Sequence, residues 1–321
     1  MKFATLPNGT PDGRLHLVSR DLTRSAPAQA AETMQGALEN WSVIEPRLKA
    51  EYEALNAGGG EPFDAAKALA PLPRAWQWLD GSAFDSHGDL MDKVFGMEKK
   101  ERNPKPLMYQ GVSDTFYPAR SDIPFVSTDD GIDFEGEFGV ITDAVPINAS
   151  KAKAAEHIRL IVQINDWSLR KIAPVEMKTG FGWVQAKPPC GMAPVAVTPD
   201  ELGAHWRDCR VDLPLNVKWN GKQFGAANGY AMSFGFDDLV VHAAYSRNLV
   251  AGTVLGSGTV SNPTYREVGS SCIAERRGIE MVDHGKPRTD YMAFGDTVSM
   301  DVRLPDGSPV FGELLETVVR A

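Results

Sequence analysis

The chain has 321 residues, 43% of them hydrophobic and 23% charged, which excludes disordered, collagen-like and disulfide-scaffold classes and leaves an ordinary globular protein with a sizeable core. Its 33 Lys and Arg against 42 Asp and Glu give a net charge of −9, so a phosphate-tracking nucleic-acid binder is not expected. No apolar run approaches the ~20 residues that cross a bilayer, and no signal-peptide core forms before Asn8, Gly9 and Pro11; the expectation is a cytoplasmic protein with no membrane partner. Cys190, Cys209 and Cys272 are odd in number and widely spaced, which predicts reduced, buried thiols rather than a zinc clip or a disulfide frame.

In chain order, residues 1–20 read as a hairpin around the turn Asn8 to Gly13. Met34, Leu38, Trp41, Ile44 and Leu48 then follow helical spacing within Pro27 to Leu55, and Gly58-Gly59-Gly60 punctuates the end. With Pro71-Leu72-Pro73 close behind, a boundary is expected near residue 70, between a small N-terminal α/β domain (1–70) and a larger one (71–321).

Beyond that point period-two patterning dominates: strands are predicted over Ile132 to Val140, Ile158 to Ile164, Val211 to Trp219, Val298 to Leu304 and from Val310 onward. Asn220-Gly221 predicts a two-residue hairpin turn and Pro305-Asp306-Gly307 another turn. A short helix capped by Ser150 runs to about His157, and a second, capped by Asp237 or Asp238, runs to about Asn248. The fold class expected is α+β and mainly β.

The segment Gly131-Ile132-Asp133-Phe134-Glu135-Gly136-Glu137-Phe138 carries the clearest chemistry, because pleating of one continuous strand sends Glu135 and Glu137 to the same face. A solvated acidic face is the plain alternative. Asp166 closes the apolar run Ile158 to Ile164, and Asp80 follows Trp78-Leu79; each alone could be turn chemistry. Together Asp80, Glu135, Glu137 and Asp166 form an all-oxygen set suited to a hard cation such as Mg2+, Ca2+ or Mn2+. Gly256-Ser257-Gly258 has no phosphate-binding spacing after it and reads as a strand-ending turn.

Eight blocks, LDGSAFDSH (79–87), PLMYQGVSD (106–114), GIDFEGEFGVI (131–141), NDWSLR (165–170), GFGWVQAKP (180–188), GSGTVSN (256–262), SCIAE (271–275) and FGD (294–296), resemble the motifs of the fumarylacetoacetate hydrolase family, particularly its bacterial members. The resemblance implies a mixed β-sandwich roll for the larger domain, metal ligation by Asp80, Glu135, Glu137 and Asp166, and a catalytic His87 oriented by Glu275. It further implies a catalytic, active-site Lys187, substrate contacts from Tyr109, Thr259 and Arg170, a divalent metal with Mg2+ first and Ca2+ or Mn2+ as alternatives, and a homodimer built through the larger domain.

The implied activity is hydrolysis of a carbon–carbon bond in a small 1,3-dicarbonyl substrate, fumarylacetoacetate-like and belonging to tyrosine or other aromatic catabolism, with water activated by His87 and Glu275. The alternatives are an acylpyruvate hydrolase, an oxaloacetate-type β-keto acid decarboxylase, and, from another class, a non-catalytic metal-binding relative. The resemblance is incomplete where the tyrosine-degradation enzyme grips substrate carboxylates: those places read Gly96 and Ala173 here, with Met177 at a neighbouring tyrosine position.

Overall fold

A computed structural model describes residues 1–94 and 104–321; Gly96 lies outside the described residues. The chain is mainly β. Among the described residues one sheet has eleven strands, ordered from Glu61–Pro62 through Arg24–Pro27, Arg14–Val18, Lys2–Leu6, Ala196–Val197, Ile158–Asn165, Gly136–Thr142, Thr253–Gly256 and Gln77–Ser82 to Leu107–Gly111, with Gly191–Met192 paired beside Ile158–Asn165. A second sheet runs Lys222–Asn228, Pro214–Trp219, Thr297–Asp301, Leu314–Arg320, Arg120–Phe125.

The run Ile158–Asn165 is buried at every position but Arg159 and mostly apolar because both its faces are covered. Ile161 packs in the main core with Phe138, Val140, Leu215, Val217 and Met300, which fills the space between the sheets. Leu160, Val162 and Ile164 point the other way, into a second core with Phe3, Leu17, Leu38, Trp41 and Leu48. The N-terminal hairpin is built into the large sheet: Val197 pairs with Lys2 on one side and Ile161 on the other.

The helical stripe predicted between Pro27 and Leu55 forms two helices, Met34–Glu39 and Trp41–Asn56, beginning at Thr33, whose side chain accepts from the Gly36 N–H. Asn220 (φ 50°) and Gly221 (φ 73°) make the predicted hairpin turn with two left-handed residues, and Ser150 caps Lys151–Glu156.

Several expectations are corrected. Val211 to Trp219 divides, because Arg210–Val211 pairs with Trp206–Arg207 and the next strand starts at Pro214, where a missing N–H is tolerated. The last two strands are Thr297–Asp301 and Leu314–Arg320, shorter than the alternation suggested. The helix expected from Asp237 is Phe236–Ala243, capped at Gly235, whose N–H donates to Asp238 Oδ2 at 3.0 Å; it stops five residues early. Cys190 and Cys272 are buried free thiols, whereas Cys209 is half-buried.

Candidate active site

Asp80 lies on Gln77–Ser82, Glu137 on Gly136–Thr142, and Asp166 directly after Ile158–Asn165. Each offers one carboxylate oxygen to a set lying within 4.8 Å of one another, and all three residues are buried. The strand Thr253–Gly256 separates the first two, and its last residue, Gly256, pairs with Asp80 on one side and Gly139 on the other. A Cβ built on Gly256 would stand 2.5 Å from Asp80 Oδ1 and 2.8 Å from Glu137 Oε2. Glycine therefore makes the space into which both carboxylates project.

Glu137 is fully buried, and neither of its oxygens has a hydrogen-bond partner. Burial, then the charges of Asp80 and Asp166, push its carboxyl well above the ordinary range, and burial with Asp166 pushes Asp80 up to about 8. The two unpartnered Glu137 oxygens, set among the carboxylates of Asp80 and Asp166, are ligands that a hard divalent cation satisfies. The residues fit such an ion.

Glu135 occupies a different place from the one pleating predicted. The expected strand is interrupted: Ile132–Asp133 pairs with Ser168–Leu169, Gly136 begins the next strand, and the Gly136 N–H turns to the Ser271 carbonyl. Glu135 Oε1 accepts from Ser168 Oγ at 2.7 Å and Lys187 Nζ at 2.8 Å, with Arg170 Nη2 at 2.9 Å, while Thr259 Oγ1 donates to Oε2. Glu135 stands outside the set of three converging oxygens. Although burial opposes its charge, Arg170 and Lys187 hold its carboxyl well below the usual range.

Lys187 Nζ also donates to Asp166 Oδ2 at 2.5 Å, and Tyr109 Oη donates to the same oxygen at 2.6 Å. Burial works against the Lys187 ammonium, but Asp166 and Glu135 outweigh it and hold the group above the usual lysine range. Tyr109 reaches this point because its strand pairs Tyr109 opposite Asp80, and Trp183 packs edge-on against its ring at 4.8 Å.

His87 sits in the helix Asp85–Val94, which packs against Ile273–His284, the helix carrying Glu275. Their closest approach is 3.7 Å, Nδ1 to Oε1, an ion-pair distance rather than a hydrogen bond. Glu275 is fully buried, with Ser261 Oγ donating to Oε1 and Oε2 left unpartnered. The segment 258–261 spans both halves of the site. Gly258 N–H donates to Asp80 at 3.1 Å, Thr259 to Glu135, and Ser261 to Glu275 while accepting from Ser86 Oγ at 2.8 Å.

Sequence reasoning missed Asp133. Its carboxylate accepts from the Ile273 N–H at 2.7 Å and the Ala274 N–H at 2.9 Å, capping the helix of Glu275, and from Arg170 Nε at 2.7 Å. This strand aspartate thus ties Arg170, the partner of Glu135, to the helix that carries Glu275. It lay in plain view two residues before Glu135, but nothing in spacing links it to residue 273. Cys190 was also missed; its thiol donates to Asp166 Oδ1 at 3.1 Å. Ala173 and Met177 fall on a short surface helix, Ala173–Met177, with Met177 61% exposed.

This fold of two large sheets, with a buried acidic triad bonded to a lysine, corresponds to a known class. The model of the fumarylacetoacetate hydrolase C-terminal domain matches residues 77–319, and fumarylacetoacetase N-terminal domain 2 matches residues 1–74. The chain belongs to the fumarylacetoacetate hydrolase family. No curated protein matches it. Among solved structures it is similar to maleylpyruvate hydrolase from Sphingobium sp. SYK-6 in complex with manganese(II) and pyruvate, at 14% identity and TM-score 0.67, covering 100% of both chains. It is also similar to 5-carboxymethyl-2-hydroxymuconate delta-isomerase from Mycobacterium smegmatis, at 18% identity and TM-score 0.60, covering 100% of this chain and 99% of that one. Among the described residues no helix is long and apolar enough to cross a membrane.

Proposed function

We propose that the chain is a metal-dependent hydrolase that cleaves a carbon–carbon bond of a small 1,3-dicarbonyl substrate, fumarylacetoacetate or an acylpyruvate. The observation that carries this reading is the convergence of Asp80, Glu137 and Asp166 with both Glu137 oxygens buried and unpartnered. These three residues would hold a divalent ion, Mg2+ or Mn2+, with Glu135 joining them if Lys187 and Thr259 release it. Such an ion supplies Lewis-acid polarisation of the substrate's carbonyl oxygens.

In the hydrolysis itself, water adds to one carbonyl, the adjacent carbon–carbon bond breaks, and the electron pair leaves on carbon as an enolate that is then protonated. His87 turns Nδ1 toward Glu275, which leaves Nε2 to take the proton from water and return it to the departing carbon. Closing the 3.7 Å gap to Glu275 would fix the tautomer and stabilise the imidazolium. Lys187 keeps its positive charge throughout and faces the acidic cluster, where negative charge develops on substrate oxygen. Tyr109 and Trp183 would flank the substrate, Thr259 and Arg170 would keep Glu135 in place, and the buried walls would exclude bulk water beyond the one molecule that reacts.

The Mycobacterium smegmatis neighbour is named an isomerase, and decarboxylation of an oxaloacetate-type β-keto acid draws on the same polarised carbonyl; neither needs activated water. The test is a substrate panel. Purified protein loaded with Mn2+ or Mg2+ is expected to bleach the enol absorbance of acylpyruvates or fumarylacetoacetate with release of one acid per turnover. Turnover of oxaloacetate alone would favour the decarboxylase, and inactivity toward the whole panel would restore the non-catalytic reading. A homodimer formed through the larger domain belongs to the same reading, and sedimentation as a monomer at micromolar concentration would remove it.

A further inference from the structure

Among the described residues, the fully buried glutamate outside the proposed chemistry is Glu316, on the strand Leu314–Arg320 of the second sheet. Its side chain crosses the interior to the large sheet. Oε2 accepts from Asn165 Nδ2 at 2.7 Å and from Trp167 Nε1 at 3.1 Å, the two residues on either side of Asp166. Asn165 passes the constraint on, because its Oδ1 accepts the Glu135 N–H at 3.0 Å, and the Asp166 N–H in turn donates to the Glu135 carbonyl at 2.9 Å. One carboxyl thus grips both flanks of one acidic residue and, through Asn165, the backbone of another.

The surroundings are shaped for it. A Cβ on Gly191 would fall 1.8 Å from Glu316 Oε1, and Gly191 pairs with Asn165 while its neighbour Cys190 donates to Asp166. No smaller or apolar residue at position 316 could satisfy the Asn165 and Trp167 donors, which are fully buried and would otherwise be left without partners.

We propose that Glu316 is a positioning residue for the metal cluster: it sets the corner Asn165-Asp166-Trp167, and through Asn165 the break at Glu135, so that the Asp166 carboxylate is presented to the ion. This rests on the metal-binding reading given above. Groups that orient a metal ligand typically govern metal affinity by 10- to 100-fold, and Glu316 acts on Asp166 through the two residues that flank it.

Titration of the full-length protein with Mn2+ alone, followed by the electron paramagnetic resonance of free Mn2+ and by calorimetry, tests it without a substrate. Glu316→Ala is expected to weaken Mn2+ binding roughly tenfold or more. Glu316→Gln, whose amide oxygen can still accept from Asn165 and Trp167, is expected to bind within about threefold of the parent. Asn165→Ala should weaken binding, and the double variant with Glu316→Ala should be little worse than either single one, because the two share one link. Where Glu316→Ala does not fold, Glu316→Asp, which withdraws the carboxyl by one methylene, takes its place with the same threshold. Unchanged affinity in the folded variant, or a loss that Gln does not rescue, overturns the proposal while leaving the metal site standing. Failure of the parent protein itself to bind Mn2+ overturns both.

Discussion

Lys187 and Asp166 are joined at 2.5 Å, Nζ to Oδ2, in a place where both side chains are buried. Replacing Lys187 by Met leaves Glu135 and Asp166 with less positive charge to offset them, and breaking a buried pair of this kind typically costs about 3–5 kcal/mol. The metal-free variant is expected to unfold at clearly lower temperature than the parent, and saturating Mn2+ should recover part of the difference. On the proposed mechanism, in which Lys187 donates to the developing oxyanion, turnover should fall at least about 100-fold. Calorimetry with and without Mn2+ checks the first claim; equal melting temperatures without metal would refute it.

Gly256 is expected to be intolerant of even one carbon. Gly256→Ala places a methyl 2.3 Å from the Trp78 ring and against the Asp80 and Glu137 oxygens, so the carboxylates must move apart. Mn2+ affinity should drop by about tenfold or more. Binding at parental strength would show that the space between those strands is not where the ion goes.

His87→Ala should separate chemistry from ligation. His87 is outside the acidic triad, so Mn2+ affinity should stay within about threefold while the hydrolytic rate falls by roughly 10^2 to 10^4. A rate within tenfold of the parent would remove His87 from the role of general base.

Metal removal should make stability depend on pH in a defined direction. Asp80 is raised to about 8 by burial and Asp166, and Glu137 is raised by burial and Asp80. A carboxyl whose folded value exceeds its unfolded value, about 4, stabilises the fold fully below that value and loses the contribution as pH rises through the folded one. In EDTA the melting temperature is therefore expected to decline between pH 5 and pH 9, and Mn2+ should flatten the decline. Glu316, also raised to about 8 by burial, adds a component of the same sign, which Glu316→Gln removes. A profile in EDTA as flat as that with metal would contradict the assignment of Asp80 and Glu137 as close neighbours.

The parts of this architecture that the sequence made legible are those fixed by short-range rules. The Asn220-Gly221 turn, the Ser150 cap, the stripe Met34 to Leu48 and the apolar run to Asn165 each depend on neighbours a few residues away, and each lies where the pattern puts it. Glu135 is the instructive counterexample. Pleating would place it beside Glu137 only if the strand were continuous, and the interruption comes from partners far along the chain, Ser271 and Asn165, whose hydrogen bonds outcompete the local ladder. Asp133 and Glu316 were illegible for the same reason: their meaning lies in residues 273 and 165, contacts that periodicity does not encode.

The short strand Ala196–Val197 is a seam, holding the first five-residue strand of the chain to the one that ends at Asn165, just before Asp166. A fragment starting near residue 70 would bare the outer edge of that seam and strip Phe3, Leu17 and Trp41 from the far side of the layer that bears the acidic cluster. Such a fragment is expected to aggregate rather than survive as a miniature enzyme, because the leading segment is the other half of the wall against which the acidic pocket is braced.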